Sequence, residues 1–74
     1  MTDTKVYCWE FSFYSQEEGD DLEVTYYTYT DNSELAKRAF VEDEGPVDYT
    51  LALDEVITED HMKDIYGLDM VLDK

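Results

Sequence analysis

The sequence predicts an α+β domain: a small antiparallel sheet begun by a long N-terminal hairpin, order ββαβα(β), with two helices on one face. Three observations predict it. Two aromatic-rich runs with strand character flank an acidic turn that contains a glycine. Two later segments carry helix end signals around apolar residues, and a third alternating run lies between them. No repeat, linker or low-complexity stretch interrupts the 74 residues, so residues 1–74 are expected to form a single compact acidic domain.

The first run, KVYCWEFSFYS at residues 5 to 15, puts Tyr7, Trp9, Phe11 and Phe13 on one face and Cys8, Glu10, Ser12 and Tyr14 on the other. Strict period two with aromatic enrichment is the strand pattern. The second, LEVTYYTYT at residues 22 to 30, is a strand rich in Thr and Tyr. QEEGDD between them fits a hairpin loop in which Gly19 supplies a positive φ. A loop centred between Glu18 and Gly19 sets Phe13 opposite Val24, Phe11 opposite Tyr26 and Trp9 opposite Thr28. Tyr27 and Tyr29 then lie on the outer face; a slip of one residue would turn them inward.

The next segment reads as a helix. Asp31 and Glu34 have capping-box spacing, Ser33 competes as N-cap, and Leu35, Ala36, Ala39 and Phe40 form an apolar stripe that Gly45 and Pro46 terminate. VDYTLALD, residues 47 to 54, alternates again with Val47, Tyr49, Leu51 and Leu53 on one face. The second helix has Thr58 as its cap, a staple between Ile57 and Met62, and Gly67 at its exit. The tail LDMVLD reads as a short last strand or an extended segment across the core. Tyr7, Trp9, Phe11, Phe13, Phe40 and Tyr49 are the expected core.

Charge is the outstanding property. Twenty Asp and Glu stand against five Lys and Arg, a formal net charge of −15. Solubility of a small domain needs a magnitude of only ~2–8, and the excess costs stability through self-repulsion. Apolar residues at 43% and aromatics at 15% separate the chain from acidic disordered tails. The single Cys8 excludes an internal disulfide. The first residues show no signal-peptide pattern and no segment approaches ~20 apolar residues. An anionic membrane surface would repel the chain. A cytoplasmic protein is expected, in the host cytoplasm if the gene is viral.

The sequence points away from catalysis. His61, the one histidine, has Glu59, Asp60 and Asp64 nearby but no second His, and a zinc site needs three or four suitable ligands. Neither acidic loop matches the EF-hand pattern. No Ser, Cys or Thr has a credible neighbouring base, and three isolated glycines make no phosphate-binding loop. No metal, no cofactor and no enzymatic activity are expected. Direct nucleic-acid binding is unexpected too, because it relies on Lys and Arg neutralising phosphates.

The carboxylates therefore define the candidate partner-binding residues. They fall into three groups: Glu17, Glu18, Asp20, Asp21 and Glu23 at the hairpin; Glu42, Asp43 and Glu44 at the helix exit; and Asp54, Glu55, Glu59, Asp60 and Asp64 further on. If helical, Glu55–Glu59 and Asp60–Asp64 are like-charge i,i+4 pairs, each unfavourable by a few tenths of a kcal/mol. Tyr27 and Tyr29 are added as expected exposed contacts.

In length, charge and aromatic content the chain looks like the small acidic nucleic-acid mimics of phages and mobile elements. These include anti-CRISPR, anti-restriction, uracil-DNA glycosylase-inhibiting and nucleoid-protein-inhibiting proteins. The resemblance covers the whole chain, rests on composition, and assigns no functional residue. It implies an inhibitor, monomeric or homodimeric, whose partner is a basic nucleic-acid-binding protein. The alternative is an acidic interaction module or subunit that holds a basic protein through exposed tyrosines or a sheet edge. A third reading is a housekeeping domain of a halophile.

Overall fold

The two aromatic-rich runs form the hairpin that the alternation predicts. A computed structural model describes residues 4–72. Strand β1, Lys5–Ser15, pairs antiparallel with β2, Asp20–Thr28. The register differs from the expected one by two residues: Phe13 faces Leu22, Phe11 faces Val24 and Trp9 faces Tyr26. A shift of two preserves which face each side chain takes, so Val24 lies on the aromatic face as expected. The cause is the turn. It spans residues 16–19, closed by the Gly19 N–H donating to the Ser15 carbonyl at 2.7 Å, and Gly19 is its last residue, with φ 70°.

Helix α1, Glu34–Glu44, begins at Glu34 itself, so the Asp31–Glu34 capping box cannot form. Ser33 occupies the N-cap without a side-chain bond, and Asn32 Oδ1 instead accepts the Glu34 N–H at 2.8 Å. Gly45, with φ 84°, ends the helix by donating to the Val41 carbonyl. Strand β3, Tyr49–Thr58, starts later and runs four residues further than the alternation at 47 to 54 implies, because it follows β1 antiparallel along most of its length. Helix α2, Glu59–Ile65, has the predicted Thr58 cap, whose hydroxyl accepts the His61 N–H at 3.2 Å.

A 3₁₀ turn, Leu68–Met70, leads into β4, Val71–Leu72. Asp73, the last residue of the expected tail element, lies outside the described residues. Strand β4 pairs with Tyr27 and Thr28 of β2 in parallel, so the sheet, ordered β3-β1-β2-β4, is mixed and not purely antiparallel.

The helices do not share a face. Alternation along β1 sends Trp9, Phe11 and Phe13 to one side, where they pack with Ala36 and Phe40 of α1. Val6 and Cys8 go to the other, where they pack with Tyr27, Met62 of α2 and Val71. The expected placement of both helices on one face is corrected on this ground. Of the expected core, Trp9, Phe11, Phe13 and Phe40 are buried, while Tyr7 and Tyr49 are half-buried.

One buried polar link ties the aromatic layer to the loop after β2. The Trp9 indole N–H donates to Thr28 Oγ1 at 2.8 Å, and that hydroxyl donates to the Thr30 carbonyl at 2.8 Å. Thr28 is fully buried. Replacing Thr28 with Val keeps the shape but leaves the indole N–H unpaired, and is expected to cost about 1–3 kcal/mol. Thr28→Ser should retain the bond. Urea unfolding midpoints measure both, and a loss below about 0.5 kcal/mol for Thr28→Val would mean that the indole finds another acceptor.

Candidate functional site

The hairpin group and the helix-exit group, distant in sequence, meet at one end of the sheet. Glu17 of the turn, Glu44 at the end of α1 and Asp48 before β3 line a common concavity beside Tyr14 and Val47. An adjoining concavity is lined by Asp21, Glu23, Ser12, Thr50 and again Tyr14 and Asp48. Five carboxylates thus surround Tyr14, which is 56% exposed. No Lys or Arg among the described residues lines either concavity.

Strand pleating arranges part of this surface. Tyr14 and Asp21 are cross-strand partners, as are Ser12 and Glu23, so these four side chains lie on the face that α1 leaves open. Asp21 and Glu23, two residues apart, are separated by about 7 Å along the strand. Glu10 continues the same face one step further. Glu18 on the turn and Asp20 at the start of β2 are exposed, and Asp20 Oδ1 accepts the Asp21 N–H at 2.8 Å.

At the helix exit Glu42 and Glu44 are exposed, and the last turn of α1 holds no basic residue. Three carboxylates there oppose the helix dipole. Asp43 is engaged structurally, accepting the Tyr26 hydroxyl at 2.7 Å. Burial pushes the Tyr26 phenol well above its ordinary value, and the bond to Asp43 and the charges of Asp43 and Glu44 push it further.

The third group lies elsewhere. Phe13, at the hairpin end, pairs with Tyr49, whereas Cys8 pairs with Glu55, five residues back along β1 or about 17 Å away. Glu55 is in β3, so Glu55 and Glu59 are not a helical pair; Asp60 and Asp64 both belong to α2 and are. Asp54 and Glu55 lie close enough to Cys8 for their charges to add to burial, which together raise the thiol to about 11. Glu59 accepts the Tyr29 hydroxyl at 3.0 Å.

Tyr27 is not an exposed contact. It is 8% exposed, packed in the core under α2 with its ring 5.2 Å from that of Tyr66. It does lie on the face opposite the aromatic layer, as the alternation implies, but that face is covered at this end. Asp48, Tyr14 and Glu10 are the site residues that sequence reasoning omitted. Their signal was available: Glu10 and Tyr14 alternate with core residues along β1, and Asp48 immediately precedes the half-buried Tyr49 that opens β3.

No family model, curated protein or solved structure matches the chain. The site therefore speaks through its chemistry. Among the described residues the one ion pair is Lys37–Glu34 at 3.6 Å, an exposed i,i+3 contact of small energetic weight. Nor do any three His, Cys, Asp or Glu side chains among them form a group that could hold a metal ion. The carboxylates are spread over a surface, an arrangement suited to meeting many cations at once. No helix of the described chain is long and apolar enough to cross a membrane.

Proposed function

We propose that the protein is a non-enzymatic inhibitor that mimics nucleic-acid phosphates and occupies the basic site of a DNA- or RNA-handling protein. The role would be counter-defence of the phage or mobile-element type, such as anti-CRISPR or anti-restriction activity. The observation that carries this reading is the hairpin end, where Glu17, Asp21, Glu23, Glu44 and Asp48 surround Tyr14 with no Lys or Arg among the described residues lining either concavity. Duplex DNA presents one negative charge about every 1.7 Å of axis, and its binding proteins meet it with Lys and Arg. A folded array of carboxylates engages the same side chains without reorganising, and its charge accelerates encounter. The protein would act in the cytoplasm of the cell that holds its partner, as a monomer or homodimer, without itself binding nucleic acid.

The test is capture from a bacterial lysate at low salt, followed by competition with DNA. Captured proteins should bind DNA at the site the inhibitor covers. With about five carboxylate contacts, raising salt from 50 to 200 mM should weaken the complex about 10²–10³-fold, by analogy with phosphate contacts. The combined variant Glu17→Gln, Asp21→Asn, Glu23→Gln, Glu44→Gln and Asp48→Asn should lose the partner while remaining folded. Partners that stay bound in molar salt and still bind DNA would overturn the reading.

A further inference from the structure

The outer strand β3 presents a second surface, which starts at the hairpin end and runs away from it to Thr58. Its inner edge pairs with β1, and among the described residues nothing pairs with its outer edge over Tyr49–Thr58. A row of unpaired N–H and C=O groups is a template for another strand. Three features of β3 specify which strand it can take.

The first is a bulge. Cys8 faces Glu55 but Trp9 faces Leu53, so Asp54 is an extra residue in β3. In an unbroken strand, positions 53 and 56 would lie on opposite faces. Here the extra residue brings Leu53 and Val56 to the same face, opposite Trp9 and Tyr7. They are 47% and 44% exposed. The bulge therefore extends the apolar row begun by Leu51 to Val56, at the margin of the sheet that α1 does not cover.

The second feature is what the bulge does on the other face. Glu55 lies there with Cys8, and the adjacent Asp54 acts electrostatically on the same thiol. Thr50 and Ala52, both small and exposed, continue that face, with Glu10 of β1 directly opposite Ala52. A strand added outside β3 would sit about 10 Å from β1. A long Lys or Arg side chain can extend over Ala52 toward Glu10 at that separation.

The third feature is the absence of Lys and Pro from β3, residues that commonly guard exposed edges. The guard here is negative charge. A second copy would bring its own Asp54 and Glu55 to this edge and its own formal charge of −15. That guard repels copies of the chain but attracts a cationic segment.

We infer that the outer edge of β3 is a docking strand for an extended, amphipathic, basic segment of a partner protein, alternating Lys or Arg with aliphatic residues. Its aliphatic side chains continue the row of Leu51, Leu53 and Val56, and its cations meet Glu55, Asp54 and Glu10. The inference does not depend on phosphate mimicry at the hairpin end, and the test separates the two.

The probe is a nine-residue peptide alternating Lys and Val, compared with a Lys–Ser peptide of equal charge. The Lys–Val peptide should slow amide exchange along residues 49–58 and bind about tenfold more tightly, from burial of one or two Val side chains. The double variant Leu53→Thr and Val56→Thr, at half-exposed positions and with β-branched replacements, should abolish that difference. Glu17→Gln with Asp21→Asn and Glu23→Gln should preserve the difference, whatever becomes of the hairpin reading. Equal affinity of the two peptides for the unmodified protein would overturn the inference. So would protection at the hairpin in place of β3, or a protein dimer in sedimentation with its β3 amides already protected.

Discussion

Phe40→Ala is expected to remove about 3–5 kcal/mol of stability, the cost typical of emptying a buried aromatic site. Total stability for a chain this size is about 4–11 kcal/mol, so the loss takes about a quarter of it or more. The reason lies in how α1 is held. Only Ala36 and Phe40 of this helix are fully buried. The Phe40 ring stacks on Phe11 with centroids 4.6 Å apart and planes at 6°, meets Phe13 edge-on at 5.2 Å, and touches Tyr49 at 4.9 Å. It therefore joins α1 to both β1 and β3. Outside this apolar contact, α1 is tied to β2 by the Tyr26–Asp43 hydrogen bond, while its last turn opposes three carboxylates to the helix dipole. Urea unfolding measures the effect as a lower midpoint at unchanged slope. Val41→Ala, one residue on and 45% exposed, is the control and should fall within about 0.5 kcal/mol of the parent. A Phe40→Ala loss below about 1.5 kcal/mol would show that the aromatic layer does not anchor the helix.

The aromatic layer was legible because alternation specifies a side chain's face, and Trp9, Phe11, Phe13 and Val24 all take the expected one. Register was not legible, since a hydrophobic pattern of period two looks the same after a shift of two residues. The length of the turn decides it, and a glycine with positive φ fits more than one position in a turn. The placement of α2 was illegible for a different reason. At seven residues with one buried side chain, Met62, it carries too short an apolar stripe to indicate a face. A clue did exist in β1: Val6 and Cys8 are apolar on a face that continues as Glu10, Ser12 and Tyr14. That change along one face marks where a second layer begins, and Tyr27 falls beneath it. For the candidate site, sequence supplied the charge clusters but not their meeting. Glu44 and Asp48 join the hairpin acids because α1 carries the chain back to the hairpin end, where β3 begins with Tyr49 opposite Phe13. The bulge at Asp54 left only a shift of phase, from Leu51 and Leu53 to Val56, which the neighbouring apolar Ile57 obscures.

Raising the pH from 9 to 11 is expected to cost the fold about 2 kcal/mol through Cys8 alone. The thiol, 2% exposed, is raised from an ordinary 9.0 to about 11, first by burial and then by Glu55 and Asp54. A group whose folded pKa exceeds its unfolded one favours the folded state fully below the unfolded value. That contribution is lost as pH rises through the folded value, here between 9 and about 11. Tyr26, raised in the same direction by burial and by its bond to Asp43, adds a further loss above its ordinary 10.0. The melting temperature should therefore be level from pH 7 to about 8.5 and fall steeply beyond it. Cys8→Ala will be less stable at neutral pH because it leaves a cavity among Val6, Tyr27, Met62 and Val71. Its stability should nevertheless decline less with alkali, so the gap to the parent narrows by about 2 kcal/mol by pH 11. Parallel curves for the two proteins would remove Cys8 as the cause. The same physics makes the thiol inert in the folded state, since the thiolate is the reactive form. Iodoacetamide at pH 8 should modify it only when the domain opens, and Phe40→Ala should accelerate that reaction about tenfold for every 1.4 kcal/mol of stability lost.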